Sequence, residues 1–247
     1  MPSKPYVRPD GRKANQLRLV EFTTDFAPAA KGSVLVRMGR TRVLCGVTVE
    51  EAVPRWMRTQ KVLGGWLTAE YSLLPYSTGE RTSREATAGR VGGRTQEIQR
   101  LIGRSLRAVT DLDKLGNRTI WVDCDVIEAD GGTRTAAVTG AYVALRLAVN
   151  RLLKDGVLAE DPIREAVAAV SVGMVQGHAL LDLCYEEDAA ADVDMNVVVT
   201  ASDRFVEIQG TAESGPFTAV EADRLLALAR KGAHALIQAQ AHALRRK

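Results

Sequence analysis

Thr119-Ile-Trp-Val-Asp-Cys-Asp-Val-Ile127 reads as a β-strand, and Asp130-Gly131-Gly132-Thr133-Arg134 breaks it. From about Thr135 to Leu153 so many positions are Ala, Gly or Val that a helix packed closely inside the molecule is expected. A strand delivered through glycines into a buried helix calls for sheet and helix in adjoining layers. Upstream, Gly32–Met38 alternates, turns at Gly39-Arg40 and resumes over Arg42–Val49, the pattern of a hairpin. Gly65–Tyr71 is a further strand, and Tyr76 to Gly93 is a polar loop rich in Arg and Gly. A helix from about Arg94 to Val109 follows, with Ile98, Leu101, Ile102, Leu106 and Val109 on one face and Arg100, Arg104 and Arg107 largely on the other.

After Lys154-Asp155-Gly156 the pattern restarts. Ala166–Val175 and Ala179–Tyr185 form a second hairpin around Gln176-Gly177-His178, and strands Val193–Ala201 and Arg204–Gln209 come next. The last helix opens on Thr218-Ala219-Val220-Glu221, a capping box, and runs toward the basic end Arg245-Arg246-Lys247. Hairpin, strands, helix therefore occurs twice. The expected fold is α+β, with duplicated ββ(β)α lobes of about residues 8–154 and 155–247 fused into one domain.

At 247 residues, 46% hydrophobic, 26% charged and a mean hydropathy of -0.09, the chain is neither disordered nor collagen-like and has material for a core. It has no run of 18 consecutive apolar residues, so no membrane span is expected, and Met1-Pro2-Ser3-Lys4-Pro5 lacks the apolar stretch of a signal peptide. The net charge of +3 hides an asymmetry: residues 1–120 carry 21 basic and 11 acidic side chains, the remainder 12 and 19. Twenty-five of the 33 basic residues are Arg, the group that clamps phosphate bidentately; codon bias toward Arg explains the composition equally well. Cys45, Cys124 and Cys184 sit in apolar, β-like runs with no CxxC, which argues for inert thiols in a reducing, cytoplasmic setting rather than disulfides or zinc. His178, His234 and His242 have no nucleophile beside them in sequence. Chemistry here falls to carboxylates, arginines and backbone amides.

Three places carry that chemistry. Gly92-Gly93-Arg94-Thr95 stands at a helix start, where free amides and an Arg favour an anion. Asp130-Gly131-Gly132-Thr133-Arg134-Thr135 repeats the arrangement; neither is a Walker loop nor GxGxxG. Each alone is as readily an ordinary glycine loop, but together Arg94 and Gly132-Thr133-Arg134 make a phosphate pocket worth proposing. The third is acidic: Asp182, Glu186, Glu187, Asp188, Asp192 and Asp194 fall within 13 residues, with no Lys or Arg between Arg164 and Arg204. A solvated loop would look the same. Strand alternation, however, puts Asp194 on the face of Asn196 and Val198, as a hard-cation ligand or general acid would need. Carboxylates select magnesium or manganese over zinc. Glu80-Arg81-Thr82-Ser83-Arg84-Glu85 with Arg90 is either solvated charge or a surface for RNA phosphates.

Longer blocks say more. Val7–Arg12, Gly64–Tyr71, Gly93–Arg104, Asp123–Thr135, Tyr185–Asp188 and Asp192–Asn196 closely resemble, in order and over nearly the whole chain, the ribonuclease PH family. That resemblance implies a phosphorolytic 3′-to-5′ exoribonuclease, or tRNA nucleotidyltransferase, that trims the 3′ end of precursor tRNA and other RNAs. It uses inorganic phosphate, reversibly and with Mg2+, and releases nucleoside diphosphates. By motif, Arg94, Gly132, Thr133 and Arg134 would bind phosphate. Asp188 and Asp194 would be the catalytic, metal-linked pair, and Arg81 and Arg84 would contact RNA. The family fold is a duplicated lobe related to a ribosomal-protein module, assembled as a homohexamer, a trimer of dimers, with no membrane attachment. One departure stands out: the family often has Arg after Leu-Pro in the exposed loop, whereas here Leu74-Pro75 leads to Tyr76, an aromatic suited to stacking on a base. The rival expectations are a non-catalytic RNA-binding subunit of an exosome-like ring and a magnesium-dependent hydrolytic nuclease.

Overall fold

The computed structural model describes residues 6–245, less the side chains of Ala86 and Ala88. Met1–Pro5, Arg246 and Lys247, on which the leader and basic-end readings partly rest, lie outside the described residues. The first half supplies β1 (Val20–Thr24), β2 (Gly32–Met38), β3 (Thr41–Glu50), α1 (Arg55–Gln60), β4 (Trp66–Leu73), α2 (Gly93–Ala108), β5 (Thr119–Glu128) and α3 (Thr133–Lys154). The second supplies β6 (Val167–Val175), β7 (His178–Leu181), α4 (Tyr185–Ala189), β8 (Val193–Thr200), β9 (Phe205–Ala212) and α5 (Ala219–Arg245).

Two sheets result, in the orders β1-β2-β3-β5-β4 and β7-β6-β8-β9. All neighbours are antiparallel except β4 and β5, which α2 joins as a parallel pair, since parallel strands need a crossover. Helix α3 packs on β2 and β3 of the first sheet and on β6 of the second. That double contact explains its composition: Ala136, Ala137, Gly140, Ala141, Ala144 and Ala148 are all buried, leaving room for strands on both sides. Fifteen of its residues are buried, so its apolar character belongs to a core. It is the one helix among the described residues long and apolar enough to cross a bilayer, yet 72% of that window is buried in the fold. Helix α5 covers the second sheet, on β6, β7 and β8, and reaches β1. Its capping box forms as expected, Thr218 N–H donating to Glu221 Oε2 at 2.8 Å and Glu221 N–H to Thr218 Oγ1 at 3.3 Å.

The hairpin of β2 and β3 and the helices α2, α3 and α5 stand where the sequence puts them, within a few residues. Other readings need correcting. Strand β7 ends at Leu181, not Tyr185, because Asp182 turns to φ 56, a left-handed backbone that breaks the pairing. Tyr185 and the acidic run after it instead form α4, and Cys184 is its capping residue rather than a strand residue. Strand β9 runs on to Ala212. Strand β1 and helix α1 gave no periodic signal strong enough to be read. The thiols are buried, and Cys124, opposite Cys45 in the β3–β5 register, has its Sγ 3.7 Å from that of Cys45. That contact, with burial, holds the Cys124 thiol well above its usual range.

Strand β2 approaches α3 so closely that a Cβ on Gly32 would lie 2.3 Å from the carbonyl oxygen of Ala144 and 2.5 Å from the amide nitrogen of Ala148. Both are backbone atoms of a buried helix and cannot swing aside. Gly32→Ala is therefore expected to destabilise the fold by about 1–3 kcal/mol, read as a lower urea midpoint at unchanged m-value.

Candidate active site

Two helix starts face one cleft. Arg94 is the second residue of α2, entered from the extended Gly92, and its exposed guanidinium makes no ion pair with another described residue. Arg134 is the second residue of α3, entered through Gly131 at φ 73 and Gly132 at φ 64. Gly131 is needed there for space as well as conformation, since a Cβ would lie 2.7 Å from the Leu183 carbonyl oxygen. Thr133, buried, accepts a hydrogen bond of 2.8 Å from the Tyr71 hydroxyl on β4. That leaves the Thr133 hydroxyl proton free to donate.

Arg134 is held by one corner. Its Nη1 donates to both carboxylate oxygens of Glu97 at 3.2 Å and to Gln209 Oε1 at 3.0 Å. Gln209 in turn donates from Nε2 to Glu97 Oε1 at 2.8 Å. The Nε and Nη2 donors of Arg134 have no partner among the described residues, so the guanidinium is fixed in place with its remaining donors available to an anion.

The opposing wall is acidic. Asp188 comes from α4, Asp194 and Asn196 from β8, and all three share the cleft with Arg94, Arg134 and Glu97, in a volume of about 810 Å³. Burial pushes the Asp194 carboxyl up to about 6, and the nearby Asp188 charge adds to this; Arg134 and a 3.2 Å hydrogen bond from Asn196 Nδ2 oppose it. Asp188, open to the cleft, is raised as well, by partial desolvation against the pull of Arg94 and Arg134. Asp194 Oδ1 is buried without any hydrogen-bond partner among the described residues. A native carboxylate oxygen left so marks a place where another species binds. No group of three or more His, Cys, Asp or Glu among the described residues is close enough to hold a metal; Asp188 and Asp194 face the cleft together, and Glu213, just past β9, lines it too and raises both their pKa values.

The structure thus brings Arg94, Arg134, Asp188 and Asp194 together. Gly132, the capping residue of α3, and Thr133, its first residue, immediately precede Arg134 and do not line the cleft; Arg81 and Arg84 stand on the exposed segment before α2 and do not line it either. Sequence reading missed Glu97, Gln209, Tyr71 and Glu213. Glu97 was accessible, three residues beyond Arg94 on one helix face. Gln209 and Tyr71 arrive from distant strands and carry no local signal.

Residues 16–149 match domain 1 of the 3′ exoribonuclease family, and residues 165–232 match its domain 2. The chain belongs to that family. Among its relatives, a ribonuclease PH of Neisseria meningitidis is 57% identical over 239 residues, covering 97% of this chain and 98% of that one. A ribonuclease PH of Bacillus velezensis is 53% identical, covering 96% and 97%. Among solved structures, rice Rrp46 aligns with a TM-score of 0.77 at 20% identity, covering 97% and 100% of the two chains. An Archaeoglobus fulgidus exosome with RNA bound to the active site aligns at 0.78 and 24%, covering 94% and 91%. These two establish the fold; the ribonuclease PH relatives carry the activity. This member of the exoribonuclease family is a phosphorolytic 3′ exoribonuclease with inorganic phosphate as co-substrate.

A carboxyl whose pKa is raised in the folded state opposes folding wherever it is charged. The penalty at Asp194 is full above pH about 6 and fades as the pH falls through that value toward 3.8. Asp194→Asn should therefore melt higher than the parent chain at pH 7.5 in metal-free buffer, with the difference shrinking by pH 4. Equal melting temperatures at both pH values would contradict this account of the site.

Proposed function

We propose that this cleft is where phosphorolysis occurs, on the 3′ end of precursor tRNA and of other RNAs. Supporting this is one observation: free arginine donors and raised carboxylates face each other across a single cleft. In the proposed arrangement Arg94 and Arg134 hold inorganic phosphate in line with the terminal phosphodiester, while Gly132 and Thr133 set the first turn of α3 from which Arg134 reaches it. A phosphate oxygen attacks phosphorus and the bond to O3′ of the penultimate nucleotide breaks. A nucleoside diphosphate leaves, and the shortened RNA keeps a 3′ hydroxyl. The arginines offset the negative charge gathered on the attacking phosphate and the phosphoryl group it attacks, so positioning and electrostatics supply most of the rate. O3′ must take up a proton as it leaves, and a cleft carboxyl that is not holding metal, or a bound water, supplies it.

Asp188 and Asp194 would hold the Mg2+. The unpartnered Asp194 Oδ1 fits a hard cation, and magnesium is commonly held by one or two carboxylates together with substrate phosphates and water. Bound there, Mg2+ would neutralise phosphate charge as a Lewis acid. Arg81 and Arg84, outside the cleft, fit contact with RNA phosphates further from the 3′ end, with Tyr76, 68% exposed, beside them as a stacking surface. We also take the chain to work as a single unit of lobes 8–154 and 155–247, in the cytoplasm, as a homohexamer built as a trimer of dimers.

One assay tests the reaction and its rivals. Incubate tRNA carrying extra 3′ nucleotides with magnesium, with and without phosphate, and identify the products. Diphosphates formed only with phosphate are expected. Monophosphates in both arms would indicate hydrolysis, and no release would indicate a binding subunit. Arg94→Ala should cost about 10²–10³ in phosphate-dependent rate. Asp194→Ala should abolish turnover while RNA still binds in a filter assay; normal trimming by that variant would remove Asp194 from the mechanism.

A further inference from the structure

The buried pair Arg18–Asp182 lies outside the cleft, yet it joins two of the segments that line it, the start of α3 and the turn of α4. Arg18 precedes β1, and its side chain is 3% exposed; that of Asp182, between β7 and α4, is fully buried. Asp182 takes three donors from this one residue: the backbone N–H of Arg18 at 2.8 Å, Nε at 3.1 Å and Nη2 at 2.6 Å. The remaining donor, Nη1, reaches the carbonyl oxygen of Asp130 at 2.6 Å, and Nη1 and Nη2 both lie 3.4 Å from that of Gly131. Thr41 completes the hold, donating from Oγ1 to the Gly131 carbonyl at 2.7 Å and accepting from Asp130 N–H at 3.0 Å.

The consequence for the loop is directional. With the carbonyls of Asp130 and Gly131 held by Arg18 and Thr41, the left-handed Gly131-Gly132 backbone carries the chain into the first turn of α3, where Thr133 and Arg134 stand. The consequence for the acidic wall is positional. Asp182 sits six residues before Asp188, and its left-handed φ of 56 starts the turn that becomes α4. A second buried fork fastens the other end of that turn, Arg8 donating from Nε and Nη2 to Glu187 at 2.7 and 2.6 Å.

We propose that Arg18, paired with Asp182, is a positioning residue for phosphorolysis, setting the phosphate loop at Gly132–Arg134 against the acidic turn that carries Asp188. The proposal rests on the assignment of phosphate to Arg94 and Arg134. Arg18 touches neither substrate nor metal in this scheme. It acts through the loop carbonyls and the Asp182 carboxylate, and a planar fork is needed because one guanidinium must serve a carboxylate on one side and two carbonyls on the other.

The test compares Arg18→Lys, Arg18→Ala and the double variant Arg18→Met with Asp182→Asn, using full-length protein and steady-state phosphorolysis of a 3′-extended RNA. The double variant fills the volume and removes the Arg18 and Asp182 charges; Arg12, 3.6 Å from the Asp182 carboxylate, keeps Glu187 as a partner, and Asn at position 182 accepts a left-handed backbone, so the variant should stay folded by melting temperature. Each variant is expected to raise the KM for phosphate by about 10–100-fold, as loss of groups that orient a primary ligand commonly does. RNA binding without phosphate should be unchanged. Added guanidinium at sub-denaturing concentration, but not ammonium, should restore part of the phosphate affinity of Arg18→Ala. A folded double variant with the parent KM for phosphate would overturn the proposal, as would equal rescue by ammonium. Arg94→Ala and Arg134→Ala run alongside. If those two leave phosphate KM untouched, the site assignment has failed; if they raise it and the Arg18 variants do not, only the positioning role has.

Discussion

Everything in this molecule depends on one helix being buried from two sides. Helix α3 lies between sheets that belong to different halves of the chain, and its alanines and Gly140 let both come close. Burial on both sides fixes its axis, and the axis fixes where its first turn points. The N-terminal end of a buried helix presents unpaired amides and a partial positive charge that need an anion or polar partners. Arg134 and Thr133 stand in that first turn, so the packing of the core and the placing of the chemistry are one problem with one solution.

The cleft also shows how opposite charges are kept from collapsing onto each other. Glu97 and Gln209 hold a single nitrogen of Arg134, which stops the guanidinium from swinging across to Asp188 and Asp194. The carboxylates on the far wall form no ion pair among the described residues, and burial holds both pKa values up against the pull of Arg134. A structure optimised for stability alone would have paired them. Leaving them short of partners keeps the site receptive to ligands at some cost to the fold.

Much of this was legible in the sequence because it was written locally. The β2–β3 hairpin alternates, α2 repeats its apolar face at helical spacing, and glycines mark both helix starts; each signal sits within a dozen residues. Asp194 and Asn196 could be placed on one face from strand alternation alone. What escaped was non-local or masked. Strand β1 is an edge element with only partial burial, and α1 has a single buried residue, Met57, so neither shows a clean period. Tyr71, Gln209 and the Arg18–Asp182 pair meet their partners across separations of 62, 75 and 164 residues, which no window on the sequence spans. The acidic run misled for a different reason. Its continuation of an apolar strand pattern concealed a left-handed residue at Asp182, whose conformation follows from a partner far upstream.

The corner hold on Arg134 bears on which substitutions an evolving chain can explore. Lysine at this position would keep the charge but offer a single ammonium, which cannot reach Glu97 and Gln209 while also grasping an anion on its other side. A change usually ranked as mild would thus divide one role from the other. Glu97, Arg134 and Gln209 thus act as one hydrogen-bonded unit, in which each side chain holds the other two.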